Sequence, residues 1–565
     1  MPHQTTPPNF YFVKEDDAKY APPCFQNTGE TREEVECQLQ GDWPNWLQGT
    51  FMRVGLGKTV VPTSEDGSKP NAVLQHFFDA LGYIHRFRFS DGKVRYMCRS
   101  NTEGVERKAK KNGFIQTHMF GPNANTPLIE AQDPCSALLR KQQSLYLPDG
   151  DLEPDELNIQ VVPRRGFHIP PGTNPKDRGT QAADPEKEEL VVLTDYNFLQ
   201  VVDAESLEPK RLITYGHIDP ELKGFGICAH PPKDRKRQWI FNYIVDERGV
   251  LHTFALDYGA KPAALVWKTP LPCKPCYIHS LACSQDYVIF IRNPVSMDLS
   301  DPTKPVSEIM KVEHDSNTLF YVMEKETGKF VAQYAAPHFM FFHIVNAYNY
   351  ADPRTGQTSI HVDFCAYDGY HLPYAEYALS NIVDPSGPYQ NGQLVRHELA
   401  AVPATPDPHT ERRATSAGGI VGVGFELPRI NKAYSCDPSY RYVYAVCDQG
   451  APAPGTRVPI GRLGNGLQYP SGAFFGGVAK GDWATGGHAV WRPRGGESCP
   501  CEPVFIARPG ASEEDDGVVL TIVLSRDGDH SVLVALDGRT MEEVARAKLP
   551  QVYGLGPHGT FIEGA

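Results

Sequence analysis

Four histidines in this 565-residue chain stand where an imidazole could serve as a metal ligand. His230 closes the run Gly224-Phe-Gly-Ile-Cys-Ala229 and precedes Pro231-Pro232. His279 lies in Tyr277-Ile-His-Ser280, His343 is flanked by Phe341-Phe342 and Ile344-Val345, and His558 sits in Gly556-Pro-His-Gly-Thr-Phe561. Each lies beside small or apolar residues at the edge of an expected strand. Taken alone, His343 reads as readily as a core histidine satisfied by a local hydrogen bond. The spacings are far too long for a ligand pair on one helix, so a shared site needs four separate strands that converge. Four neutral imidazoles would leave a divalent ion's charge intact and suit iron, copper, zinc or nickel. Catalytic zinc usually keeps three protein ligands, so four histidines with an open position better suit ferrous iron that must bind oxygen. Such ligands also need carboxylates behind them to fix the tautomer, and pattern alone does not pick these from the 68 acidic residues.

The elements that would bring the histidines together read as β-hairpins. Tyr83, His85, Phe87 and Phe89 alternate with Ile84, Arg86 and Arg88, and Ser90-Asp-Gly-Lys93 then turns the chain into Val94 to Cys98. The same signature returns at Trp239 to Leu256, Thr318 to Tyr334 and Val518 to Leu536, each around a short polar or glycine turn. With 50 glycines and 49 prolines scattered singly, the chain reads as all-β, a β-propeller or a large barrel. A propeller turns its inner strands toward one channel, which is the convergence the histidines require. No strict sequence period is visible, so the blades must be irregular and carry insertions. Residues 1–40 read as an N-terminal strap, 104–188 as an insertion ending in a long loop from Asp149 to Glu189, and Ala401 to Gly424 as a polar, then glycine-rich loop. The whole chain, 1–565, reads as one domain.

Other chemistries find less support. A formal charge of −13 argues against nucleic acid, which needs a concentrated basic surface. Met1 to Phe12 lacks a basic region followed by an apolar run, and nowhere do 18 successive apolar residues occur, which predicts a cytoplasmic chain, neither secreted nor membrane-spanning. Gly55-x-Gly57 lacks the third glycine or lysine-serine pair of a phosphate loop. Thirteen cysteines form no paired framework, and Cys273-Lys-Pro-Cys276 and Cys499-Pro-Cys501 are isolated pairs of unlike spacing, a weak case for zinc or a redox couple. Leu128, Ile129, Cys135, Leu138 and Leu139 could form an amphipathic patch resting on a membrane, or an ordinary surface insertion.

From about Gly41 to His558 the chain resembles the carotenoid cleavage oxygenases, a family that includes the retinoid isomerohydrolase of the retinal pigment epithelium. The resemblance rests on motifs in order: Pro44-x-Trp46-Leu47-x-Gly49-Thr50-x-x-Arg53, His76-Phe-Phe-Asp79, Thr194-Asp-Tyr-Asn197-Phe198, Ala229-His230-Pro231, Ile278-His279-Ser280, Phe342-His343-Ile344-x-Asn346-Ala347-Tyr348, Phe425-Glu426-Leu-Pro-Arg-Ile-Asn431, Glu502-Pro503-Val-Phe, Glu513-Glu-Asp-Asp-Gly517 and His558-Gly559-Thr560. It implies a seven-bladed propeller with a cap of helices and loops over the metal face. It further implies that His230, His279, His343 and His558 are catalytic ligands of a non-haem Fe(2+), and that Asp195, Glu426 and Glu502 orient three of the imidazoles. The implied reaction is cleavage by O2 of a conjugated double bond in a carotenoid or apocarotenoid, giving aldehydes of the retinal type, inside an apolar tunnel for which Phe341, Phe342 and Tyr348 are candidate walls. Retinyl-ester isomerohydrolysis, stilbene cleavage and a non-catalytic carotenoid carrier are the alternatives. Asp195 stands where glutamate is common, Val54-Gly-Leu interrupts the usual run after Arg53, Ala80 replaces a glycine, and Pro557 stands where phenylalanine often precedes the last histidine. The Pro127 to Leu147 segment corresponds to the family's membrane-facing part and contains Asp133-Pro-Cys135, although Arg140, Lys141 and Gln142 make it polar for an anchor. Peripheral membrane contact is the expectation.

Overall fold

The structure, a computed structural model, describes residues 12–564 apart from 118, 122–151, 171–173, 175, 299, 301–304, 354, 370–376, 384–391, 404–406, 449–460, 463–467 and 470–475. Seven sheets of four or five strands, antiparallel throughout except where Glu411–Arg413 joins Phe330–Ala336 in parallel, follow one another around a central axis. Their innermost strands, taken in order from blade 1 to blade 7, are Gly559–Glu563, Val162–Arg165, Lys233–Asp234, Ala282–Cys283, Phe339–Ala351, Glu426–Arg429 and Val504–Ala507. The inner strands of blades 2 to 7 follow in chain order, although blade 4 takes its outermost strand, Glu411–Arg413, from between two strands of blade 5. Blade 1 is assembled from both ends, because Gly559–Glu563 pairs with Gly49–Lys58 in a register that sets Gly49 opposite Glu563 and Arg53 opposite Gly559. The outer rim is closed as well: Thr31–Glu36 adds to blade 1, and Gln38–Gly41 then crosses to pair with Glu543–Lys548 of blade 7.

The core is a set of layers between neighbouring blades. Phe51, Phe87 and Phe89 of blade 1 meet Ile506, Leu520 and Leu533 of blade 7, and Phe241 and Tyr243 of blade 3 meet Val288 and Phe290 of blade 4. Because each sheet is covered on both faces, central strands such as Gly517–Leu524 are buried at every position and read as continuous apolar runs. The four predicted hairpins are all present, at Leu81–Ser90 with Lys93–Ser100, Trp239–Val245 with Leu251–Asp257, Thr318–Glu324 with Phe330–Ala336, and Gly517–Leu524 with Ser531–Asp537.

Two stretches expected to be loops contain strands. Val162–Arg165 is the inner strand of blade 2 and pairs only with Glu189–Leu193. Pro163 hides it from a pattern reading, yet an inner edge strand with one partner tolerates a residue that cannot donate. Thr415–Ile420 likewise forms the outer edge of blade 5, where an exposed face requires no apolar side chains. The Pro127 to Leu147 segment lies outside the described residues, and among those residues no helix is long and apolar enough to cross a membrane.

Closure makes the last strand a test of the whole ring. Phe561 is buried in the layer between blades 7 and 1, against Phe89 with ring centroids 6.0 Å apart. Phe561→Ala is expected to lower stability in denaturant titrations by about 3–5 kcal/mol. Val421→Ser, at an exposed position, is expected to stay within about 0.5 kcal/mol, and equal losses in the two variants would contradict this layout.

Candidate metal centre and its cavity

The four histidines meet on the propeller axis. His230, His279 and His558 each lie just before the inner strand of their blade, and His343 lies within that of blade 5. Regular strand geometry would send Phe342 and His343 to opposite faces. Instead, register shifts on both sides of Ile344 interrupt the pairing of this strand, and a bulge of this kind re-aims side chains. Both residues consequently face one cavity. His230 is also tied to its neighbour by a bridge to Ser280, through its backbone N–H to the His279 carbonyl at 3.1 Å.

One ligand nitrogen from each histidine lies within 4.8 Å of all the others. A metal with bonds of about 2.1 Å separates its nitrogen ligands by at most about 4.2 Å, so a small inward adjustment would suffice. Three of the rings use Nδ1–H to donate to carboxylates, which leaves Nε2 as a lone pair. The Nε2 atoms of His230 and His558 are 2.9 Å apart, those of His343 and His558 3.3 Å, and Nε2 of His279 is buried without a hydrogen-bond partner. Lone pairs crowded this way repel unless a cation stands among them. The set fits a metal site. Burial holds the His230 imidazole well below its ordinary range, with the other three histidines adding to the effect. Burial likewise lowers His279, against the pull of Asp195, and brings His558 to about 3. These rings are therefore neutral and able to coordinate at physiological pH.

The three carboxylates named from sequence repeat one pattern. Asp195 accepts from His279 Nδ1 at 3.0 Å, from the Tyr277 hydroxyl at 3.0 Å and from the backbone N–H of Ala229 at 3.2 Å. Glu426 accepts from His343 Nδ1 at 2.5 Å, the Tyr367 hydroxyl at 2.8 Å and the Leu427 N–H at 2.8 Å. Glu502 accepts from His558 Nδ1 at 2.8 Å, Arg429 Nε at 2.7 Å and the Gly559 N–H at 2.8 Å. Each carboxylate, buried at Glu426 and Glu502 and half-buried at Asp195, is thus satisfied by one ring, one side chain and one amide. The shorter arm of Asp195 still reaches its ring, and its hold on Ala229 fixes the residue next to His230, whose own ring meets no carboxylate among the described residues. Asp195 comes from blade 2, Glu426 from blade 6 and Glu502 from the approach to blade 7, so all seven blades supply one member of the centre.

Above the nitrogens opens a cavity of about 1140 Å³, counting its open mouth. Its wall is mainly aromatic: Phe78 stacks on Phe342 at 5.8 Å and on Tyr377 at 5.2 Å, and Phe342 lies flat on His279 with centroids 4.1 Å apart. Pro557 lines it beside His558. Of the three expected wall residues only Phe342 is there. Phe341 packs between blades 4 and 5 and Tyr348 between blades 5 and 6, because the bulge turns Phe342 alone toward the axis.

A family model described as retinal pigment epithelial membrane protein matches residues 24–563. The chain belongs to this family. A carotenoid dioxygenase of Neurospora crassa is 26% identical over 95% of this chain and 90% of its own, and a torulene dioxygenase of Fusarium fujikuroi is 26% identical over 96% and 93%. A variant of the Synechocystis apocarotenoid oxygenase superposes with a TM-score of 0.70 at 20% identity, covering 97% of this chain and 99% of that one, and so shares the fold.

Three family motifs gain roles that sequence reading did not assign. Arg53, fully buried, donates to the Glu502 carbonyl at 2.9 Å, the Gly556 carbonyl at 3.0 Å and the Tyr553 hydroxyl at 3.1 Å. It thereby joins the first blade to both segments that carry Glu502 and His558. Arg429, three residues after Glu426 in a quoted motif, grips both oxygens of Glu502; its position after the carboxylate was the available signal. Burial would raise the Glu502 carboxyl, but Arg429 and His558 outweigh it and hold the group well below the usual range. Asp79 accepts the backbone N–H groups of Phe120 and Gly121 at 2.6 and 2.9 Å and so shapes the cavity roof.

Arg429→Leu strands a buried carboxylate and is expected to cost about 3–5 kcal/mol. Adding Glu502→Gln should recover part of that loss in a double-mutant cycle, and simple additivity would show that the two groups are uncoupled. Burial pushes Asp79 up to about 7, against about 3.9 unfolded. The folded chain holds that proton more tightly, so stability should fall as pH rises from about 4 to about 7, by about 4 kcal/mol at most. Asp79→Asn should flatten that slope in melts across the same window.

Proposed function

We propose that this chain is a non-haem iron(II) dioxygenase that cleaves a conjugated carbon-carbon double bond of a carotenoid or apocarotenoid with O2, one oxygen atom going to each of two aldehydes. The observation that carries the reading is the convergence of four histidine nitrogens beneath an aromatic cavity whose lining includes His279, His343 and His558. In this proposal His230, His279, His343 and His558 hold the iron, and Asp195, Glu426 and Glu502 fix the three rings they touch. Bound there, ferrous iron supplies an open position at which O2 becomes reactive toward an electron-rich polyene. Phe78, Phe342 and Tyr377 offer flat apolar faces along which a polyene can lie and from which water is excluded, so the depth of the cavity decides which bond stands over the nitrogens. The carotenoid and torulene dioxygenases among the relatives support the substrate class. An apolar substrate of this kind is taken from a bilayer, and Leu128, Ile129, Leu138 and Leu139 make residues 127–147 the segment we propose to touch it.

The alternatives fare less well. A carrier would be expected to have lost a ligand or a supporting carboxylate, and this chain retains all seven. Stilbene cleavage calls for a lysine beside a tyrosine to activate a phenol, and no lysine lines the cavity among the described residues.

Anaerobic reconstitution with ferrous iron, followed by incubation with β-carotene and more linear carotenoids with and without O2, tests the proposal. Aldehydes that require both iron and O2 are expected, and their masses identify the bond; bound iron with turnover of retinyl esters in the absence of O2 would replace this reading with isomerohydrolysis. His343→Ala should lower iron content and abolish turnover in a folded protein. Glu426→Gln should weaken iron binding by about 10- to 100-fold, read by competition with a chelator.

A further inference from the structure

Two cysteines from different blades meet close to the strands that carry the metal-site histidines. Cys283 ends the inner strand of blade 4, Ala282–Cys283, four residues after His279. Cys436 follows the short helical turn Lys432–Tyr434, beyond the inner strand of blade 6. Their sulfur atoms lie 3.9 Å apart across 153 positions of sequence. A disulfide needs about 2.05 Å, so a movement of about 1 Å by each sulfur closes the bond.

The surroundings hold Cys436 in place for this meeting. Its backbone is left-handed, with φ +61°, a conformation that a residue with a Cβ keeps only where its neighbours impose it. Two bonds do so here: the Cys436 N–H donates to Asn346 Oδ1 at 2.9 Å, and its thiol donates to the Cys283 carbonyl at 3.2 Å. Asn346 donates in turn from Nδ2 to the Tyr434 carbonyl at 3.3 Å. It lies three residues beyond His343 in the inner strand of blade 5, so the cysteine pair reaches across the strand between its two blades. Cys283 is buried and Cys436 half-buried, which sets one thiol behind another that a solute can reach. The bond from Cys436 and then the Lys325 ammonium, itself buried against Asp234 at 3.0 Å, ease the loss of the first proton from the pair.

We propose that Cys283 and Cys436 are a redox-sensitive pair, and that their oxidation by a small disulfide clips blade 4 to blade 6 across the strand that carries His343. Cys436, as thiolate, attacks one sulfur of glutathione disulfide and releases one glutathione thiolate. Cys283 then loses its proton and attacks Cys436 Sγ, which releases the second glutathione as thiolate. The two protein thiols give up two electrons, the small disulfide is reduced, and the two protons pass to the two glutathione thiolates. In a reducing environment the pair stays as two thiols, and an excess of disulfide closes it. Closure ties the His279 strand to the segment that follows Glu426, with Asn346 held between them, so the imidazoles lose freedom to part and release their metal. That effect rests on the iron site proposed above, whereas formation of the bond does not.

The test is anaerobic incubation of the iron-loaded full chain with glutathione disulfide and glutathione at set ratios. The remaining thiols are then alkylated, and the chain is digested without reductant for mass spectrometry. A crosslinked peptide pair containing Cys283 and Cys436 is expected, two hydrogens lighter than its parts and abolished by dithiothreitol. Iron loss to a chelator should slow severalfold in the oxidised form and recover on reduction, and oxidant should leave it unchanged in Cys283→Ser and Cys436→Ser. Should Cys283→Ser fail to fold, Cys436→Ser, at a half-buried position, carries the control. If the chain binds no iron, the crosslink should still form and, by closing 153 positions of chain, raise the midpoint in urea. Failure of the iron site and failure of the pair are thereby told apart. Glutathione left on Cys436 without a crosslink, a disulfide confined to Cys273 and Cys276, or a crosslink that leaves iron loss unchanged in the loaded chain would overturn the proposal.

Discussion

The antiparallel pairing of Gly559–Glu563 with Gly49–Lys58 is the contact on which the rest depends. A propeller has an axis only when its ring is shut, and a histidine centre drawn from separate blades exists only on that axis. The chain reinforces the closure where it matters to the chemistry. Arg53 lies on the pairing strand itself and holds the backbone of both Glu502 and Gly556, two residues before His558. Closing the ring and placing the last histidine are therefore one event.

Much of this could be read from residues alone. The hairpins were visible because their turns carry glycine and aspartate and their strands alternate. The four histidines stood out because each interrupts an apolar or glycine-rich edge, and the motif match picked out three carboxylates that the structure finds hydrogen-bonded to histidine rings. What escaped reading had physical reasons. Val162–Arg165 contains a proline that only an edge strand could accept, and Thr415–Ile420 is an exposed edge with no apolar face to betray it. Phe341 and Tyr348 could not be told from Phe342 because the bulge beside His343 is a property of pairing, invisible in one strand's sequence. Arg429 and Arg53 had positions in motifs but no partners until the fold supplied them.

The centre is held by a division of labour. No blade contributes two ligands, and each carboxylate is fixed by a backbone amide as well as a side chain. The amide of Ala229, adjacent to His230, answers to Asp195 in the neighbouring blade, 34 residues away, so errors in one blade's position are shared with its neighbour. Burial does the rest by keeping the His230, His279 and His558 imidazoles neutral.

The cavity wall is built differently from its floor. The floor belongs to the inner strands and their hydrogen-bonded carboxylates, whereas Phe78, Phe120 and Tyr377 come from connections above the blades and Pro557 from the approach to the last strand. Natural selection can thus act on the two separately. Drift in the roof can retune which molecule enters and how deeply, while the ring and its seven polar residues stay under a common stabilising constraint, so a lineage of this architecture is free to diversify in diet without relearning its chemistry.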